Sequence, residues 1–129
     1  MDKDFEILYP KAKELAGKKV LNKSISYAHV GCALLSEKGN IYTGVCIVAD
    51  CGIGFCAEHA AIADMIKNDE SKIIKIVAAD ENGPTAPCGR CRELMKQLNI
   101  ENLDTQIMID NFEVYTLREL LPHTWMPNN

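Results

Sequence analysis

Two short stretches hold residue types at spacings that could do chemistry: Cys56-Ala57-Glu58-His59-Ala60 and Pro87-Cys88-Gly89-Arg90-Cys91. The two-residue gap between Cys88 and Cys91 lets two thiolates on one helical turn grip a tetrahedral metal ion. Cys56, a helix and a strand earlier, can supply a third sulfur, and Glu58 follows it by two. Three sulfurs leave a fourth position for water, and a carboxylate beside it can handle that water's protons. The set describes a catalytic Zn²⁺ site.

The spacing also sets geometry. Residues two apart on a helix do not share a face, so Cys56 and Glu58 can meet one ion only over a helix's N-terminal end. Cys88 behind Pro87 opens a second helix, again at an N-terminus. Both helices would point positive ends at the sulfurs and favour thiolates. Three thiolates on Zn²⁺ carry an excess negative charge, for which Arg90 is the candidate compensation. A closed Cys₃His site using His59 is the structural alternative, with Glu58 then a surface carboxylate. Cys32, Cys46 and Cys51 fall outside the pattern; Cys32 is expected as a small buried hydrophobe, and His29 and His123 as structural or surface residues.

The elements that must position these residues follow from periodicity. Phe5, Leu8, Ala12 and Leu15 have helical spacing, with Gly17 as a stop and Pro10 inside the pattern, so the helix should start near Tyr9 or bend there. Residues 18–26 read as loop. Apolar segments at 30–36 and 41–48, split by Glu37-Lys38-Gly39-Asn40, predict a hairpin. The Ala-rich run 56–66 predicts a closely packed helix, 73–79 an interior strand, 80–87 a loop, and 88–98 a second helix with Leu94, Met95 and Leu98 inward. Two strands are expected at 106–110 and 112–115. Thr116 and Glu119 then form a capping box for a short helix that Pro122 ends. This order implies a mixed sheet covered by helices in one domain, 1–129.

Composition narrows the function classes. A formal net charge of -4 and a pI near 5.3 give no basic footprint for nucleic acid or an anionic membrane. No apolar run approaches a membrane span, and Met-Asp-Lys-Asp does not open a signal peptide. Six cysteines permit disulfides, but in a cytoplasmic chain, the expected location, thiols more often serve metal or catalysis.

The double match of Cys-Ala-Glu with Pro-Cys-Gly-Arg-Cys resembles the three-cysteine zinc class of the cytidine deaminase family. Residues 30–35, Val-Gly-Cys-Ala-Leu-Leu, look like that family's first strand, and Arg118-Glu-Leu-Leu-Pro122 like its C-terminal helix. The resemblance implies a three-layer α/β/α sandwich with a mixed five-stranded sheet. It also implies Zn²⁺ on Cys56, Cys88 and Cys91, with Glu58 carrying protons while the C4 amine of a cytosine nucleoside becomes a carbonyl and ammonia leaves. A backbone N–H near Ala57 would hold the base, and a homotetramer would be the assembly.

The departures lie where substrate is chosen. The family's ribose-binding Asn-x-Glu pair falls on Cys46 and Val48, the usual first-strand Phe on Ala28 beside Tyr27, and the Arg that follows Glu on His59. With Pro-Cys-Gly-Arg-Cys-Arg and Trp125 near the C-terminus, these departures resemble the blasticidin S deaminase branch, which acts on a nucleoside with an altered sugar. Tyr27 could stack on the base or pack in the core. Trp125 could close a neighbouring subunit's pocket or be an exposed tail residue. The competing functions are deamination of another aminated heterocycle or of a nucleic-acid base, which the acidic balance disfavours, and a non-catalytic zinc-stabilised module, which the intact Glu58 disfavours.

Overall fold

The computed structural model describes residues 1–126. Its centre is β2 (Ser26–Ser36), with β3 (Ile41–Val48) antiparallel on one edge and β4 (Ile73–Asp80) antiparallel on the other. β6 (Gln106–Met108) runs parallel to β4, and β7 (Val114–Thr116) pairs antiparallel with β6. These are the five expected strands in one mixed sheet. Two short pieces join them: β1 (Lys19–Val20) beside the start of β2, and β5 (Gly83–Thr85) beside the end of β4. Both lie in stretches that read as loop, because two or three residues are too few to show an alternation.

Strand side chains alternate between two cores, as the pleat requires. Cys32, Leu34, Ile76, Ala78 and Ile107 face one, and Ala33, Val77, Ala79 and Met108 face the other. Helix α1 (Lys3–Leu15) covers the second with Phe5, Leu8 and Ala12. Helices α2 (Ala57–Lys67) and α3 (Gly89–Leu98) cover the first, with Ala57, Ala61, Met65, Cys91 and Met95. The result is the expected three layers. The capping box at Thr116 opens α4 (Leu117–Leu120) as foreseen.

Helix α1 corrects the expectation of a start near Tyr9. It runs through Pro10 from an N-cap at Asp2, whose carboxylate accepts the Phe5 N–H at 2.9 Å. A mid-helix proline costs about 3 kcal/mol. Burying Phe5 and Leu8 returns about 1.5–3 kcal/mol each, so the longer helix wins. Strand β2 begins four residues before residue 30, because the chain continues across a bulge at Ala28, where φ is +62°. The last strand begins at Val114, since Asn111 and Phe112 both turn through φ +60°.

Two glycines set how closely the helices approach the sheet. A Cβ on Gly31 would lie 2.4 Å from the Ala12 carbonyl oxygen. One on Gly44 would lie 2.5 Å from the Ala61 nitrogen and 2.6 Å from the Ala60 Cβ. The backbone of α2 therefore rests directly on β3, which fixes where its N-terminus emerges.

Candidate active site

Cys56 and Cys88 are the N-cap residues of α2 and α3, and neither side chain caps its own helix. Their sulfurs are thereby free to face each other across the gap between the two helix starts, 3.5 Å apart. Cys91, one turn into α3 and fully buried, lies 3.6 Å from Cys88. All three sulfurs fall within 4.8 Å of one another. A tetrahedral ion with Zn–S bonds of about 2.3 Å requires sulfurs roughly 3.8 Å apart, so the donor set and its spacing fit Zn²⁺. His59 is not in this group, and the closed Cys₃His alternative is not what the side chains build. Among the described residues all six cysteines are free.

Burial and neighbouring charge act differently on these groups. Burial, then the Glu58 charge, pushes the Cys91 thiol far up. Burial also raises Cys56. Burial opposes the Cys88 thiolate too, but hydrogen bonds from the Cys91 amide, the Cys56 thiol and the Arg90 amide outweigh it and bring that pKa down. Such a set becomes uniformly anionic only with a cation in its midst. Glu58, 5% exposed, is raised by burial, against weaker hydrogen bonds from its own amide and from Cys91. His59 Nδ1 lies 3.4 Å from Cys91 Sγ. Burial, then the Arg90 charge, lowers the His59 pKa and keeps the ring neutral.

A cavity of about 430 Å³ opens above the cluster. Cys56, Ala57 and Glu58 line it on the α2 side, Cys88 and Arg90 on the α3 side, and Cys46 and Val48 from β3. Seven of the residues singled out line it: Glu58, Cys46, Val48, Ala57, Arg90 and the candidate metal ligands Cys56 and Cys88. Tyr27 does not. It is half-buried on β2, where the Lys19 ammonium sits 5.9 Å from its ring centre. Trp125 does not line its own chain's cavity either; the residue is 74% exposed, and its backbone N–H donates to Glu93 Oε1 at 2.9 Å.

Sequence reasoning missed Phe55 and Thr85, which also line the cavity. Phe55 is held by two backbone hydrogen bonds with Ile47, at 3.0 and 2.9 Å. The signal for it was Gly54, where any Cβ would meet the Ile47 carbonyl oxygen at 2.1 Å, so the loop must fold back onto β3 there.

A family model described as the cytidine and deoxycytidylate deaminase zinc-binding region matches residues 4–106. The chain belongs to that deaminase family. It is 34% identical over 99 residues to a cytidine deaminase from Halalkalibacterium halodurans, covering 72% of this chain and 74% of that one. It is 31% identical over 110 residues to a blasticidin-S deaminase from Bacillus cereus, covering 78% and 79%. The crystal structure of a cytidine deaminase from Mycobacterium tuberculosis superposes with a TM-score of 0.77 at 25% identity, over 97% of this chain and 99% of that one. The Cys56-x-Glu58 and Cys88-x-x-Cys91 pairs thus sit on a fold shared with a cytidine deaminase.

Proposed function

We propose that this chain is a zinc-dependent hydrolytic deaminase of a cytosine nucleoside, of the cytidine, deoxycytidine or blasticidin S type. The observation that carries the reading is Glu58, a carboxyl withdrawn from solvent yet lining the cavity at whose floor three sulfurs meet. Cys56, Cys88 and Cys91 would hold Zn²⁺, which supplies a Lewis acid able to make a neighbouring water acidic near neutral pH. The Glu58 carboxylate takes that water's proton and passes it to the ring nitrogen, leaving the adjacent carbon open to attack. As the water oxygen bonds to that carbon, Glu58 takes the remaining hydroxyl proton and gives it to the amine, so that the C–N bond breaks, ammonia leaves and the carbonyl forms. Burial raises the Glu58 pKa toward the working range of a group that must both accept and release protons.

The first amides of α2 have no acceptor within the helix, so the Ala57 N–H is available to a carbonyl on the base. Toward the sugar, Cys46 and Val48 offer neither a carboxylate nor an amide, so the ribose hydroxyls are not demanded. The experiment is an ammonia-release panel on cytidine, deoxycytidine and blasticidin S, run before and after zinc removal. Release that persists without zinc, or release from none of the three, overturns the reading.

We further infer a homotetramer working in the cytoplasm, without a membrane or nucleic-acid partner. Exposed Val48 and Phe55 in the cavity wall, together with exposed Ile53 and Trp125, support a covering neighbour; a net charge of -4 counts against a phosphate-tracking groove. Among the described residues no helix is long and apolar enough to cross a membrane. The domain span is inferred as 1–129, of which 127–129 lie outside the described residues. Mass in solution tests the assembly.

A further inference from the structure

His59 departs from the first turn of α2, where its backbone N–H donates to the Cys56 carbonyl oxygen at 3.1 Å. That bond fixes the direction in which its side chain leaves the helix. The ring reaches across to α3 and places Nδ1 3.4 Å from Cys91 Sγ. We propose that His59 is a positioning residue whose Nδ1–H donates to the Cys91 thiolate and so sets the charge that the three-sulfur centre presents to its open corner.

Three observations lead there. Cys91 is the most buried of the three sulfurs; Cys56 is half-buried and Cys88 exposed, so water can solvate those two and not Cys91. A buried anion without a donor is costly, and the partner supplied here is an imidazole. A metal-bound thiolate has no proton to give, so the hydrogen between the two atoms must sit on Nδ1, which fixes the tautomer. His59 also lies outside the group of atoms close enough together to share one ion, so its nitrogen serves a ligand and not the metal. Among the described residues the Arg90 guanidinium is not hydrogen-bonded to a sulfur; only its backbone amide reaches one, that of Cys88. The compensation expected of Arg90 by charge is made by His59 through contact.

The proposal rests on the zinc reading above, and its test separates the two. Full-length His59→Ala, His59→Asn and His59→Gln are loaded with Zn²⁺ and, separately, Co²⁺. Three quantities are read: zinc loss to a chelator, the thiolate-to-cobalt absorption band, and the pH dependence of kcat. The Asn side-chain N–H can occupy the place of Nδ1–H, whereas that of Gln reaches toward the place of Nε2. Removing a partner of a metal ligand typically costs 10–100-fold in affinity or activity. His59→Ala should lose zinc faster by about that factor, move the cobalt band and shift the kcat profile to higher pH. His59→Asn should restore most of each, and His59→Gln should not. Wild-type zinc loss and an unmoved band in His59→Ala overturn the proposal. So does a folded His59→Asn that behaves like His59→Ala. Wild-type protein that binds no zinc would bring down the deaminase reading as well, whereas an active zinc enzyme indifferent to the His59 series would bring down this inference alone.

Discussion

Glu58, in the first turn of α2, and Glu70, three residues beyond its last, are 5% and 6% exposed. Their surroundings drive them in opposite directions. Glu70 accepts from the Asn40 amide at 2.9 Å, the Tyr42 and Ser36 hydroxyls at 2.8 Å each, and the Lys38 backbone N–H at 3.2 Å. Led by the Asn40 bond, these donors hold its pKa down at about 2. Glu58 has no comparable set, and burial raises it. Withdrawal from water is common to both; the number of donors decides the outcome. The saturated carboxylate ties the β2–β3 hairpin to the end of α2. The under-satisfied one has lone pairs free for the proton transfer proposed for it.

The largest expected effect breaks this pair apart. Glu58→Gln keeps the side chain's shape but removes proton transfer, so turnover should fall by about 10²–10⁴ while bound zinc is retained. Glu70→Gln should leave kcat near wild type and lower Tm instead, since an amide cannot accept all four donors. Ammonia release, metal content and thermal melts on the two variants check this. Equal activity loss in both would mean that Glu70 supports the site and not only the fold.

A second variant strains both ends at once. Gly44→Ala places a Cβ 2.5 Å from the Ala61 nitrogen and 2.8 Å from the Ala57 carbonyl oxygen, all backbone, so α2 must shift away from β3. Overpacking of this kind costs about 1–3 kcal/mol. Because Cys56 and Glu58 ride on the same helix, zinc affinity should fall along with Tm. A Tm loss with unchanged zinc affinity would show that the N-terminus of α2 is anchored independently of its packing.

The glutamates differ equally in how plainly the sequence announces them. Glu58 stands two residues after Cys56, and the role proposed for it is legible because metal chemistry fixes ligand types and spacing locally. Glu70 sits in the polar run Asn68-Asp69-Glu70, and its donors come from residues 36–42, which read only as a hairpin. Nothing along the chain links the two segments before the fold does. The apolar strands 41–48 and 73–79 and the Ala-rich α2 were legible for the same local reason. The path of α1 through Pro10 was not, because the burial that outweighs the proline lies on distant strands. Phe55 joined the cavity through loop closure, and Tyr27, beside the β2 bulge, stayed out of its lining, by geometry that residue types do not encode.

The smallest effect sharpens the contrast through pH. The pKa of Glu70 falls from an ordinary 4.5 to about 2 on folding, so its ionised form stabilises the native state. That contribution is full above 4.5 and is lost as pH falls toward 2. The stability difference between wild type and Glu70→Gln should therefore be constant near neutrality and shrink across that acid window. Glu58 has the opposite sign. Its pKa is raised on folding in the metal-free protein, so its ionisation opposes the native state above the ordinary value of 4.5. Metal-free Glu58→Gln should then be more stable than metal-free wild type at neutral pH, with the advantage fading as pH falls to 4.5 and below. Denaturant melts of both variants between pH 2 and 8 measure the two slopes. Slopes of the same sign would mean that donors around Glu58 compensate its burial after all, and the division between a carboxylate that holds the fold and one kept for proton transfer would not stand.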